Sequence, residues 1–132
     1  MSEPRQRILV VDDETAVREL TIRALDQAGF SCAGAIDGEQ ALQKLNDERF
    51  EAVVTDLHMP NLHGHALAVE LLTRPERPLI FVVTGVGEPK LAKDLLARGV
   101  DDIFFKPVDH GMLVLKLEAF LARRQTVTAT AE

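Results

Sequence analysis

Five side chains suited to phosphate or metal chemistry stand where apolar runs stop. Asp12 and Asp13 follow Ile8-Leu9-Val10-Val11, Asp56 follows Ala52-Val53-Val54-Thr55, Thr84 closes Leu79-Ile80-Phe81-Val82-Val83, and Lys106 follows Val100 to Phe105. If those runs are neighbouring parallel strands, all five groups arrive at the carboxyl edge of one sheet, where ligands of open α/β folds collect. Three carboxylates gathered there repel one another, and a divalent cation removes the conflict. Oxygen ligands with room for water are what Mg²⁺ prefers, so Asp13 and Asp56 are expected to bind it directly and Asp12 through water. Any one of these acids reads equally well as a turn or helix cap. The ordered set, ending separate strands, does not.

The elements that must position them alternate. Ile8 to Val11 is short, apolar and rich in β-branched residues, as a strand covered on both faces should be. Val17, Leu20, Ala24, Leu25 and Ala28 then recur at helical spacing up to Gly29, a fitting left-handed cap. Phe30 to Ala35 reads as a weak strand, followed by an Asp37-Gly38 turn and a helix carrying Ala41, Leu42 and Leu45. Leu67, Leu71 and Leu72 place a helix after the third strand. Pro75 and Pro78 bracket the turn into the fourth, and Leu91, Leu95 and Leu96 mark the next helix, closed by Gly99. Met112, Leu113, Leu117, Phe120 and Leu121 form the stripe of a last helix, and 125–132 reads as a loose tail or the start of a linker. Five strands alternating with five helices predict one doubly wound α/β domain over 7–124, with 1–6 as an extension, joined by right-handed crossovers.

Composition narrows the function. At 132 residues the chain has the size of one domain, and no apolar run approaches the ~20 residues of a membrane helix. The net charge of −6 opposes direct contact with nucleic acid, whose recognition depends on Lys and Arg. The polar stretch Met1 to Arg7 lacks the apolar core of a secretory signal, and a lone Cys32 makes no internal disulfide, so a cytoplasmic location is expected.

Asp12-Asp13 after an apolar strand, Asp56-Leu57-His58-Met59-Pro60, Val83-Thr84-Gly85 and Phe105-Lys106-Pro107 together resemble the receiver domain of two-component response regulators, over about residues 6 to 124. The resemblance implies a flavodoxin-like sheet of strand order 2-1-3-4-5. It implies that Asp56 accepts a phosphoryl group from a sensor histidine kinase or phosphotransfer protein. Asp12 and Asp13 would hold Mg²⁺ with Asp56 and the carbonyl of His58, Thr84 would turn toward the phosphoryl group, and Lys106 would supply the cation. A cis peptide is implied before Pro107. Such a domain is no metabolic enzyme, since it catalyses only its own phosphorylation and dephosphorylation.

The resemblance also implies a switching face, formed by the fourth helix, last strand and last helix, that binds a downstream protein through Leu91, Leu95 and neighbours and could support a homodimer. Many receivers carry an aromatic residue three positions before the lysine, whereas Ile103 stands here, so a rotating-ring readout is expected to be weak or absent. Val86, two residues past Thr84, offers no hydrogen bond to an attacking water, which favours slow loss of the phosphoryl group.

Rival readings are weaker. A degenerate receiver acting as an unphosphorylated scaffold conflicts with the intact acidic set. A haloacid-dehalogenase-like phosphatase wants an acid two residues past its nucleophile, where this chain has His58. His58, His63 and His65 suggest a transition-metal loop, but without a Cys pair or second His cluster they read as solvated. Gly85, Gly87 and Gly99 lack dinucleotide-binding spacing. Cys32 reads as a small packing residue, and Arg123-Arg124 as a charge pair at a helix end.

Overall fold

The computed structural model describes residues 5–59, 63–85 and 89–131, with side chains through Arg124. Its elements are β1 (Arg7–Val11), α1 (Thr15–Gln27), β2 (Ser31–Ala35), α2 (Gly38–Asp47), β3 (Ala52–Asp56), α3 (Gly64–Leu72), β4 (Leu79–Thr84), α4 (Pro89–Arg98), β5 (Asp102–Phe105) and α5 (His110–Ala131). All strand pairs are parallel, and the order is β2-β1-β3-β4-β5, as expected for the flavodoxin-like arrangement. Strands β3 and β4, at the centre of the sheet, are buried along their whole length.

Strand alternation divides the core into two layers. Leu9, Val11, Val53, Ile80 and Val82 join Leu67, Leu71 and Leu95 beneath α2, α3 and α4. Ile8, Val10, Val54, Phe81 and Val83 join Leu25, Leu113, Leu117 and Leu121 beneath α1 and α5. Phe81 anchors the second layer, with its ring 5.3 Å from those of Phe104 and Phe120. Helix ends follow local chemistry: Asp37 caps α2 by accepting the amide of Gln40 at 2.8 Å, while Gly29 and Gly99 take φ of 103° and 113° after α1 and α4.

Several side chains depart from the periodic reading. Leu20 of α1 and its capping residue Ala28 are exposed while Thr21 and Leu25 are buried. In α4, Leu95 is wholly buried with Ala92, whereas Leu91 and Leu96 are exposed; in α5, Met112 is exposed. An apolar stripe wider than the sheet contact leaves its outer rows in solvent, and the packed rows are chosen by where the strands lie. Helix α5 continues to Ala131 through the residues expected to form a loose tail, because 125–131 contains neither Gly nor Pro to stop it. Arg123 and Arg124 are therefore mid-helix: Arg123 lies over the Phe120 ring, and Arg124 donates to the carbonyl of Arg77. Val86 and Gly87 lie outside the described residues, as does Pro60.

Helices α3 and α4 are tied by one bridge. His65 Nε2 lies 2.8 Å from Asp94 Oδ2, which also accepts Arg98 Nε at 2.8 Å. The hydrogen bond from His65, then that from Arg98, holds the Asp94 carboxyl below the usual range. A lowered folded-state pKa stabilises the fold above the unfolded value and loses that contribution as pH falls through the folded value. Asp94→Asn should accordingly lose a small amount of stability at neutral pH and match the parent at strongly acidic pH, as read from urea midpoints across pH. A constant gap at every pH would contradict the bridge.

Candidate functional site: an aspartate–lysine cluster at the carboxyl edge of the sheet

Strand parity sends the reactive groups in two directions. Asp12 continues the Ile8–Val10 row, Asp56 the Ala52–Val54 row and Lys106 the Phe104 row, all belonging to the layer of α1 and α5. Thr84 continues the Ile80–Val82 row of the opposite layer. The backbone keeps the edge tight: Asp12 N donates to Ala35 O at 3.0 Å, Leu57 N to Val83 O at 2.9 Å and Lys106 N to Thr84 O at 2.9 Å.

Asp56 is 4% exposed. Its Oδ2 accepts Lys106 Nζ at 2.9 Å, and its Oδ1 accepts the amide of His58 at 3.3 Å. Asp12 is buried beside it; its Oδ1 accepts the amide of Glu14 at 2.9 Å, and its carbonyl accepts Arg18 at 2.7 Å. Burial raises the Asp12 carboxyl above its ordinary range, the Glu14 amide opposes that rise, and the charges of Asp56 and Asp13 add to it. Burial lowers Lys106, but its hydrogen bond and attraction to Asp56 outweigh this and leave the ammonium raised, hence charged at neutral pH.

Carboxylate oxygens of Asp12, Asp13 and Asp56 come within 4.8 Å of one another, the one such group of three among the described residues. Hard, anionic and partly open, this donor set fits Mg²⁺ better than a metal preferring nitrogen or sulfur. The histidine loop offers nothing comparable, since His65 is engaged with Asp94.

Thr84 is fully buried, and its hydroxyl donates to Gly85 O at 3.3 Å; in register it pairs with Phe105, which is 58% exposed. Ile103 packs half-buried against the α2–α4 layer, with Phe104 in the other layer. The Lys106–Pro107 peptide is cis. Cys32 packs against the α1–α5 layer, and its thiol is pushed up to about 12, by burial first and Asp26 second, consistent with a packing residue rather than a nucleophile.

Sequence reasoning missed Gly64, the first residue of α3. A Cβ placed there would lie 1.9 Å from the Asp56 carbonyl oxygen and 2.9 Å from its carbonyl carbon. Helix α3 thus presses its first residue onto the backbone of Asp56. The available signal was a glycine at a helix start, where Ser, Thr, Asp or Asn would ordinarily be favoured nearby.

A doubly wound sheet carrying a buried aspartate, an acidic pair and a lysine at its carboxyl edge defines a flavodoxin-like α/β domain with an acidic edge site. Residues 8–118 match the response regulator receiver domain family, and the chain belongs to it. The transcriptional regulatory protein PrrA of Mycobacterium bovis is 33% identical over 127 residues, covering 96% of this chain and 54% of PrrA. The CAI-1 autoinducer sensor kinase/phosphatase CqsS of Vibrio cholerae is 32% identical over 124 residues, covering 91% of this chain and 18% of CqsS. This chain therefore spans about half or less of these curated relatives. Among solved structures, a response regulator receiver protein from Pseudomonas putida superposes with a TM-score of 0.82 at 32% identity, covering 89% of this chain and 99% of that one. A CheY-like receiver domain from Methanospirillum hungatei gives 0.86 at 27% identity, covering 93% and 98%.

Proposed function

We propose that this domain accepts a phosphoryl group on Asp56 from a histidine kinase or phosphotransfer protein and alters a protein-binding face in response. The observation that carries the reading is the Lys106–Asp56 contact at 2.9 Å inside a cluster of three carboxylates. Asp12, Asp13 and Asp56, with the His58 carbonyl, would hold Mg²⁺. When bound, that ion offsets the carboxylate charge and that of the phosphoryl oxygens. Lys106 stabilises the equatorial oxygens in a loose transition state, where positioning and charge supply most of the catalysis. Asp56 supplies the attacking oxygen. Incubation with acetyl phosphate and Mg²⁺ should add one phosphoryl group per chain, with Asp56 as the modified residue by peptide mass mapping. Absence of modification, together with no spectral response to beryllofluoride, would return the domain to the scaffold reading.

The responding face is placed on α4, β5 and α5. Leu91, Leu96, Phe105, Met112 and Leu115 are its exposed apolar residues, and Leu95 is core and takes no part. A downstream protein or a second copy of the chain would bind there. The location remains cytoplasmic in this reading, and no helix among the described residues is long and apolar enough to cross a membrane.

Thr84→Ala should remove most of the beryllofluoride-dependent change in NMR shifts across α4, because it removes the hydroxyl able to leave Gly85 O for a phosphoryl oxygen. Ile103→Val should leave that change nearly intact: both residues are β-branched, and Ile103 is held by packing. A rotamer flip of Ile103 that tracks activation would overturn this assignment.

A further inference from the structure

We propose that the apolar cleft beside Asp56 seats the acyl tail of a small acyl-phosphate donor, so that donors with short apolar chains modify this protein better than acetyl phosphate does. The proposal rests on Asp56 being the acceptor. The cleft measures about 470 Å³, within the range of small-molecule sites, and lies between α1, α5 and the carboxyl ends of the central strands. Val17, Leu20, Val54, Val83, Pro107 and Leu113 give it apolar walls, and Asp56, Lys106 and Asp12 share its lining. A donor whose phosphoryl group meets Asp56 therefore has an apolar wall directly beside its remaining atoms.

An unbranched chain of three or four carbons fits that space and leaves water on entering it. A chain ending in a carboxylate meets Glu14 in the same lining and is repelled. In the reaction an Asp56 carboxylate oxygen forms a bond to phosphorus while the bond from phosphorus to the acyl oxygen breaks. The bonding pair leaves with that oxygen as a free carboxylate. No proton moves, so the step needs no general acid, and Lys106 faces the charge throughout.

The test is the rate of Asp56 phosphorylation in the full chain, in Mg²⁺, with phosphoramidate, acetyl phosphate, butyryl phosphate and succinyl phosphate as donors. Butyryl phosphate should show kcat/KM roughly three- to tenfold above acetyl phosphate, from two methylenes withdrawn from water, and succinyl phosphate should fall below both. Val17→Phe, which fills the cleft from the half-buried face of α1, should abolish the chain-length preference while Asp56 is still modified by phosphoramidate. Equal rates for the acetyl and butyryl donors, or a preference that survives Val17→Phe, would overturn the proposal and leave the cleft to a partner protein's side chains. Failure of every donor to modify Asp56, phosphoramidate included, would instead overturn the acceptor assignment and this proposal with it.

Discussion

Asp56→Asn should reduce phosphoryl incorporation from acetyl phosphate to background while leaving the chain folded. The amide keeps the size of the side chain and can still accept the His58 amide, so packing at this 4%-exposed position changes little. What disappears is the anionic oxygen able to attack phosphorus. Neither neighbour replaces it: Asp12 Oδ1 is committed to the Glu14 amide, and Asp13 lies on the exposed side of the cluster. The substitution also breaks the ion pair with Lys106, but this lysine retains access to water and the remaining acids lose a repelling neighbour. Circular dichroism and the urea midpoint should therefore stay near those of the parent while intact-mass labelling is lost. Labelling of the variant at parental stoichiometry would reassign the acceptor.

Gly64→Ala should cost roughly 2–4 kcal/mol of stability and slow modification of Asp56, although it adds only a methyl group to a helix. The new carbon would meet the Asp56 carbonyl oxygen at 1.9 Å and Leu57 Cα at 2.9 Å. Those atoms are backbone, fixed by the Leu57 amide on Val83 O and the Gly64 amide on Leu57 O, so no rotamer change relieves the overlap. Either α3 is pushed outward, loosening Leu67 and Leu71 from the core, or the Asp56–Leu57 segment shifts and carries the Asp56 carboxylate away from Lys106. Gly111→Ala is the matching control. Its added carbon meets only the side-chain oxygen of Asp109, at 3.3 Å, and helix propensity favours alanine by up to ~1 kcal/mol. A Gly64→Ala protein as stable and as readily labelled as the Gly111→Ala protein would remove Gly64 from any role in holding Asp56.

The contrast between these two positions shows what was legible in the sequence. Asp12, Asp56, Thr84 and Lys106 each end an apolar run, and a residue's place at a strand end is a local property, so the one-edge arrangement followed from the β/α alternation. The cis peptide before Pro107 and the strand order came with the family resemblance. Gly64 was not legible, because its meaning lies in a close approach between a helix start and a strand end eight residues earlier in the chain. The His65–Asp94 bridge was hidden for the same reason: its partners are 29 residues apart and belong to different helices. Leu20, Leu96 and Met112, exposed despite their place in an apolar stripe, and Leu95, buried despite its expected place on the partner face, show a different limit. Periodicity locates an apolar stripe to within a row or so, and the strand surface decides which row turns inward. The length of α5 was underestimated, although nothing in 125–131 interrupts the backbone.

Alternation along β3 and β4 has one more consequence. Asp56 pairs in register with Val83, so Asp56 and Thr84 stand one residue apart across neighbouring strands yet belong to opposite core layers. The sheet is therefore a partition, with Asp12, Asp56 and Lys106 on its α1–α5 side and Thr84 on its α3–α4 side. Under the proposed function, a change at Asp56 would have to travel to α4 over the rim, where the two strands end. Inserting one residue into β4 ahead of Thr84 would reverse the side on which the hydroxyl emerges, placing sender and receiver in the same compartment and α4 out of earshot.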